Sequence, residues 1–150
     1  CLFEKSLTEE IKGDTSGPFR DILVYLCDNK RETCQTIDKN KISNDIDLLS
    51  EVSCLKTDQI IEIFCKNSFD YIQCLCRMYE HKTEKNLGTF LSEHFSTDFG
   101  KTIQDICQFS IDPIKFYSGK LKEGIDCKDV YKIIRVIVTR CEIDLKLVLK

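Results

Sequence analysis

The sequence predicts an all-α chain made of repeated helical units, and three observations predict it. Only eight of the 150 residues are glycine or proline. Apolar residues recur at the i, i+3, i+4 spacing of a helix face through most of the chain, with no competing strand alternation. The stretch IIEIFCKNSFDYI, residues 60–72, returns as IIRVIVTRCEIDL, residues 133–145, at an offset of 73.

Taken in order, helices are expected near 7–12, 18–27, 45–53, 58–67, 69–80, 87–94, 98–108, 113–122, 127–140 and 142–149. Ser6 with Glu9 reads as a capping box for the first. Thr15 or Ser16 precedes Pro18 at the start of the second, whose apolar face is Leu23, Leu26 and Cys27. The run DNKRETCQTIDKNKIS, residues 28–43, has no apolar periodicity and reads as an exposed linker. Ile72, Leu75, Cys76 and Tyr79 give the helix near 69–80 its face, and Ile103, Ile106 and Cys107 do so near 98–108. Asp112 before Pro113 marks the next start.

A second self-alignment, at an offset of 80, pairs Leu7/Leu87, Ile11/Leu91, Ser16/Ser96, Phe19/Phe99, Leu23/Ile103, Leu26/Ile106 and Cys27/Cys107. The offsets differ because the second comparison crosses the linker. The expected division is therefore 1–27 as the end of one unit, 28–44 as linker, 45–108 as a complete five-helix unit, and 109–150 as the first half of another.

Composition narrows the function classes. With 22 basic and 25 acidic residues the net charge is −3, which argues against general nucleic-acid binding. Charge is uneven: −1 over 1–44, −6 over 45–112 and +4 over 113–150. The longest run free of Asp, Glu, Lys and Arg is seven residues, Asn86–Ser92, far short of the roughly 20 a spanning helix needs. Cys1 at the start, with Met78 the single methionine, predicts a processed chain or a fragment. The ten cysteines fall in phase with helix faces, so reduced, buried thiols are expected rather than disulfides.

At this level LTEEIKGDTSGPFRDILVYL, residues 7–26, resembles the fourth helix, acidic turn and fifth helix of an annexin repeat. IIRVIVTRCEIDL resembles the second helix of the family's last repeat. The resemblance covers essentially the whole chain, from the end of repeat two to the first half of repeat four. It implies a right-handed superhelix of five-helix repeats, cytoplasmic and reversibly peripheral at membranes, that binds acidic phospholipid through calcium. Calcium takes about 6–8 oxygen ligands, so a partly filled site leaves room for lipid phosphate. In the family a glycine-rich loop between the first two helices supplies carbonyls, and a carboxylate before the fifth helix completes the set.

Residue by residue, that set is largely missing. In the complete unit the loop position reads Ser53-Cys54-Leu55-Lys56-Thr57, and the carboxylate position falls on His94, with Glu93 and Asp98 nearby but unaligned. In the last unit Glu123-Gly124-Ile125-Asp126-Cys127-Lys128 keeps one glycine. Asp14 alone matches the acidic ligand, as a half-site for calcium, and reads more simply as a cap of the helix after it. Asp126 with Asp129, or Glu123 with Asp126, could make a weak unrelated cation site, with solvated surface charge the simpler expectation. Arg140 matches a family arginine at the end of the second helix, and the resemblance implies a buried or inter-repeat ion-pair partner; Asn67 stands at the equivalent place.

No nucleotide loop, HExxH or catalytic arrangement is present, so neither an enzyme nor a small-molecule substrate is expected. Cys74 and Cys76 with His81 suggest zinc only faintly, since positions i and i+2 of a helix face apart. Cys127 beside Lys128 and Cys141 beside Arg140 are the candidate reactive thiols, with burial the simpler expectation. The leading reading is a non-enzymatic, calcium-dependent phospholipid binder with degenerate sites. The alternative is a calcium-independent membrane or protein-partner scaffold using Lys56, Lys120, Lys122 and Lys128. A secreted helical cytokine is the rival from another class.

Overall fold

The computed structural model describes residues 6–33, 36–51 and 55–149. Among these the regular structure is entirely helical. The helices are α1 (Leu7–Asp14), α2 (Gly17–Asp28), α3 (Lys39–Ser50), α4 (Thr57–Ile61), α5 (Phe69–Thr83), α6 (Leu87–His94), α7 (Asp98–Ile111), α8 (Pro113–Asp126), α9 (Val130–Arg140) and α10 (Leu145–Val148). A π-helical turn, Glu62–Lys66, continues α4. The chain forms two compact units, residues 1–107 and 108–150.

Local chemistry sets these limits. The capping box at α1 is present: Ser6 N donates to Glu9 Oε2 at 2.9 Å and Glu9 N to Ser6 Oγ at 3.2 Å. The Ser6 main-chain N–H, and after it the Ser6 hydroxyl, hold the Glu9 carboxyl below its ordinary range. Pro113 occupies the first turn of α8, where its missing N–H costs nothing, and Asp112 accepts from Lys115 N at 2.9 Å. Gly100 is required by packing, because a Cβ there would lie 2.1 Å from the Phe95 carbonyl oxygen.

In the first unit α1 packs on α2, α2 on α4 and the π turn, α3 on α5, and α5 on α6. Ile22, Ile42, Leu49, Ile60, Phe64, Ile72, Leu75, Leu91 and Ile103 are completely buried. Burial of such side chains contributes about 1.5–3 kcal/mol each. The second unit has a small core of Leu121, Val136 and Val148, flanked by Ile114, Tyr117 and Ile133. Ser118 Oγ donates to the Val148 carbonyl at 2.8 Å, tying α10 to α8.

Several sequence expectations need correction. Helix α3 starts at Lys39, inside the expected 28–43 linker: Asp38 accepts from Asn40 N at 2.9 Å, and Ile42, Ile46 and Leu49 form a buried stripe. Helix α8 runs to Asp126, and α9 starts only at Val130. Cys27 is exposed and Leu26 is 38% exposed, because α2 turns Ile22 inward instead. Cys76 and Cys107 are buried as expected, whereas Cys127 and Cys141 are exposed.

Candidate functional site

The link between α8 and α9 stands where a calcium loop is expected in the second unit. It is closed by its own backbone. The Glu123 carbonyl accepts from Cys127 N at 3.0 Å, that of Ile125 from Lys128 N at 3.1 Å, and that of Gly124 from Asp129 N at 2.8 Å. Lys128 takes the left-handed conformation, φ 55°, in place of a glycine. Gly124 is a buried helical residue, and a Cβ there would sit 3.1 Å from Ile133 Cγ1. Its role is close packing of α8 on α9, not release of carbonyls toward an ion.

The carboxylates around this link are also engaged. Lys132 Nζ donates to Glu123 Oε1 at 2.8 Å, and this bond holds the Glu123 carboxyl below the usual range. Asp129 caps α9 by accepting from Lys132 N at 3.0 Å. Asp126 is exposed. The three link carbonyls thus each accept a turn bond, and the Lys128 side chain is exposed at the tip.

The other expected site residues do not converge. Asp14 is the exposed last residue of α1, and Ser16, not Asp14, is the N-cap of α2. Its carboxylate makes no hydrogen bond among the described residues, so the capping role is not observed. His94 is exposed at the end of α6, its ring edge-on to Phe95 at 4.7 Å. Of the first unit's loop position, Ser53 and Cys54 lie outside the described residues, while Lys56 is the exposed N-cap of α4. Cys74, Cys76 and His81 differ in burial, and no group of three or more metal-binding side chains forms among the described residues.

Arg140 forms an ion pair, but a local one with Asp144 four residues on, within its own unit. Its Nε and Nη2 donate to the two Asp144 oxygens at 2.8 and 2.6 Å, and the guanidinium lies 4.4 Å from the Tyr117 ring centre. This bidentate fork holds the Asp144 carboxyl low. In the first unit the equivalent Asn67 is buried, donating to the Ile63 carbonyl at 2.8 Å and accepting from Lys41 Nζ at 2.6 Å. A cation arrives from elsewhere in the chain. Arg31 Nη1 donates to the carbonyls of Phe64 and Asn67, both at 2.7 Å, and the guanidinium stacks over Phe69 at 4.2 Å. Sequence reasoning missed Arg31, an isolated arginine in a polar run. Beside it a cleft of about 250 Å³ is lined by Lys41, Asp45, Gln59, Glu62, Lys66 and Asn67 among others.

No protein-family model matches the chain. Curated proteins do. Human Annexin A13 is 27% identical over 151 residues, covering 97% of this chain and 48% of that protein. Annexin A3 of Rattus norvegicus is 25% identical, covering 95% and 46%, and human Annexin A7 is 27% identical, covering 95% and 30%. Among solved structures, annexin III superposes with a TM-score of 0.86 at 24% identity, over 98% of this chain and 48% of that one. The chain thus spans about half the length, or less, of the curated relatives it matches.

Proposed function

The chain being an annexin homologue over nearly its whole length, we propose that it functions as part of a non-enzymatic, peripheral phospholipid-binding protein. Annexins generally bind acidic phospholipid in a calcium-dependent way, and that activity is the one proposed for the protein to which this stretch belongs. The homology together with the all-α repeat fold carries the reading. Residues 1–27 are read as the end of one repeat, 45–108 as a complete repeat preceded by the linker and the first turns of α3, and 109–150 as the first half of the next.

Within this stretch calcium binding is proposed to be degenerate. The closed α8–α9 link and the exposed Lys128 support that. The same observation favours the second reading, attraction of Lys56, Lys122 and Lys128 to an anionic surface. Each basic residue near such a surface contributes about 1 kcal/mol, screened by salt. No helix among the described residues is long and apolar enough to cross a membrane. The proposed location is the cytoplasm, reversibly at membranes, with acidic phospholipid as the main partner and a protein partner as a second.

Sedimentation with phosphatidylserine vesicles, in millimolar calcium and in chelator, tests this. Binding in either condition supports phospholipid association, and dependence on calcium separates the two readings. Absence of binding in both conditions overturns the proposal for this chain.

A further inference from the structure

The 73-residue repeat sorts the exposed apolar residues of α9 into two kinds. Ile134, Ile137 and Val138 are 51, 39 and 65% exposed, yet their equivalents Ile61, Phe64 and Cys65 are buried in the first unit, where α5, α6 and α7 are in place. Their exposure is what a unit without such helices leaves open. Val130 and Tyr131 are different. They are 60 and 81% exposed, and their equivalents Thr57 and Asp58 are polar, one half-buried and one exposed. Closing the unit as the first unit is closed would leave these two in water. Ile125, 58% exposed, lies just across the link on α8.

Charge around this apolar tip is basic. Helix α9 carries Lys132, Arg135 and Arg140 and no acidic residue, whereas the equivalent stretch 57–67 carries Asp58, Glu62 and Lys66. Of the nearby carboxylates, Glu123 and Asp129 are engaged by Lys132 and Asp144 by Arg140, while Asp126 is exposed and pairs with no cation among the described residues, so the basic excess at the tip is partly offset. Lys122, Lys128 and Arg135 are exposed and make no ion pair among the described residues. At 100° per residue, Val130 and Tyr131 lie about 100° apart on α9, with Arg135 and then Lys132 beyond Tyr131. Apolar residues with a tyrosine at the rim and flanking cations are the chemistry of a segment lying in a lipid interface. A second copy fits less well, because α9 against α9 would bring like charges together.

We infer that Val130 and Tyr131, with the cations Lys122, Lys128 and Arg135, form a contact with anionic phospholipid that needs no calcium. The inference rests on the phospholipid-binding reading above and gives it a site. The carbonyls of the α8–α9 link, closed on themselves, are replaced as the lipid contact by side chains. Tyr131 sits at headgroup depth and Val130 beneath it, while the cations meet lipid phosphate and carboxylate.

The test uses the whole chain with vesicles of phosphatidylserine and phosphatidylcholine in chelator. The unaltered chain is expected to sediment with them, to be released by high salt, and to bind pure phosphatidylcholine weakly. Val130→Thr with Tyr131→Asp restores the first unit's residue types at water-facing positions. It should lower the vesicle partition coefficient about ten-fold while helicity by circular dichroism is unchanged. The chain has no tryptophan, so Tyr131→Trp gives a single reporter whose emission should shift to the blue and be quenched by brominated lipid. Equal vesicle binding by the double variant, or an unmoved Tyr131→Trp emission, overturns the inference. Calcium-dependent binding that the double variant leaves intact overturns it while the phospholipid reading stands; no binding with or without calcium removes both. Loss in the double variant of self-association, or of binding to an acidic amphipathic peptide, with vesicle binding unaltered, would assign the patch to a protein and overturn it equally.

Discussion

Arg31 donates from its guanidinium to the main-chain carbonyl of Asn67 at 2.7 Å, and from the same nitrogen to that of Phe64. The C-terminal end of a helix leaves carbonyls unpaired and carries partial negative charge, so a cation there answers both needs. In the second unit the end of α9 has its own Arg140, paired with Asp144. The first unit has Asn67 at that place and takes its cation from the segment before α3. Glu32 N adds a bond to the Lys66 carbonyl at 2.7 Å, so a polar segment becomes a strap over the π turn.

Replacing Arg31 with alanine should therefore destabilise the chain by about 2 kcal/mol, the range for hydrogen bonds made by a charged group together with the carbonyls left bare. Lysine should restore only part of this, because its ammonium can donate to both carbonyls but cannot lie flat over Phe69 as the guanidinium does. Urea denaturation of the three proteins measures it; an unchanged midpoint for Arg31→Ala would show the strap to be idle.

Much of this architecture was legible in the residues, and the parts that were not have physical causes. The stripes of α5 and α7 contain several apolar residues per turn and are read correctly. Helix α3 begins in KNKISND, where Ile42 is the single apolar residue, so its first turn looks like linker until Leu48 and Leu49 are counted. In α2 either Ile22 or the Leu23, Leu26, Cys27 set can face inward, and tertiary packing chose Ile22. Gly124 reads as a loop glycine from sequence, but close packing against Ile133 is what holds it in α8. The closing of the link carbonyls on themselves was not legible, because that is backbone geometry.

Gly100→Ala should cost about 1–3 kcal/mol despite alanine's better helix propensity, because the added Cβ would overlap the Phe95 carbonyl and force backbone to move. Thermal unfolding followed by circular dichroism gives the answer. A variant as stable as the parent would mean the α6–α7 corner has slack that its packing does not display.

Stability should also carry a pH signature from Asp144. Arg140 holds this carboxyl below its ordinary value of 3.8, so the pair's contribution is present above the unfolded-state pKa. It is lost as pH falls through the lower folded-state value. Asp144→Asn should thus lower stability at pH 7 and make less difference as the pH drops below about 3.9, the unfolded-state reference. Denaturant titrations at both pH values test it, and an equal difference at the two would remove Asp144 from the account.

The thiols divide by burial. Cys27, Cys127 and Cys141 should be alkylated in the native protein within minutes, while Cys65, Cys76 and Cys107 resist until it unfolds. Burial pushes the Cys65 thiol up to about 11, and contact with Cys76 together with burial raises that of Cys107, so neither offers thiolate at neutral pH. Peptide mass spectrometry after timed iodoacetamide labelling reads each site; rapid native labelling of Cys107 would place it outside the core.

Calcium titration by isothermal calorimetry checks the proposal that this annexin-like fold holds no calcium site in the present stretch. With Gly124, Ile125 and Glu123 carbonyls committed to turn bonds, the account predicts no saturable heat at calcium concentrations below about 1 mM, the weak end for extracellular calcium modules. A stoichiometric site tighter than that, lost on Asp14→Asn or on substitution in residues 123–129, would contradict it.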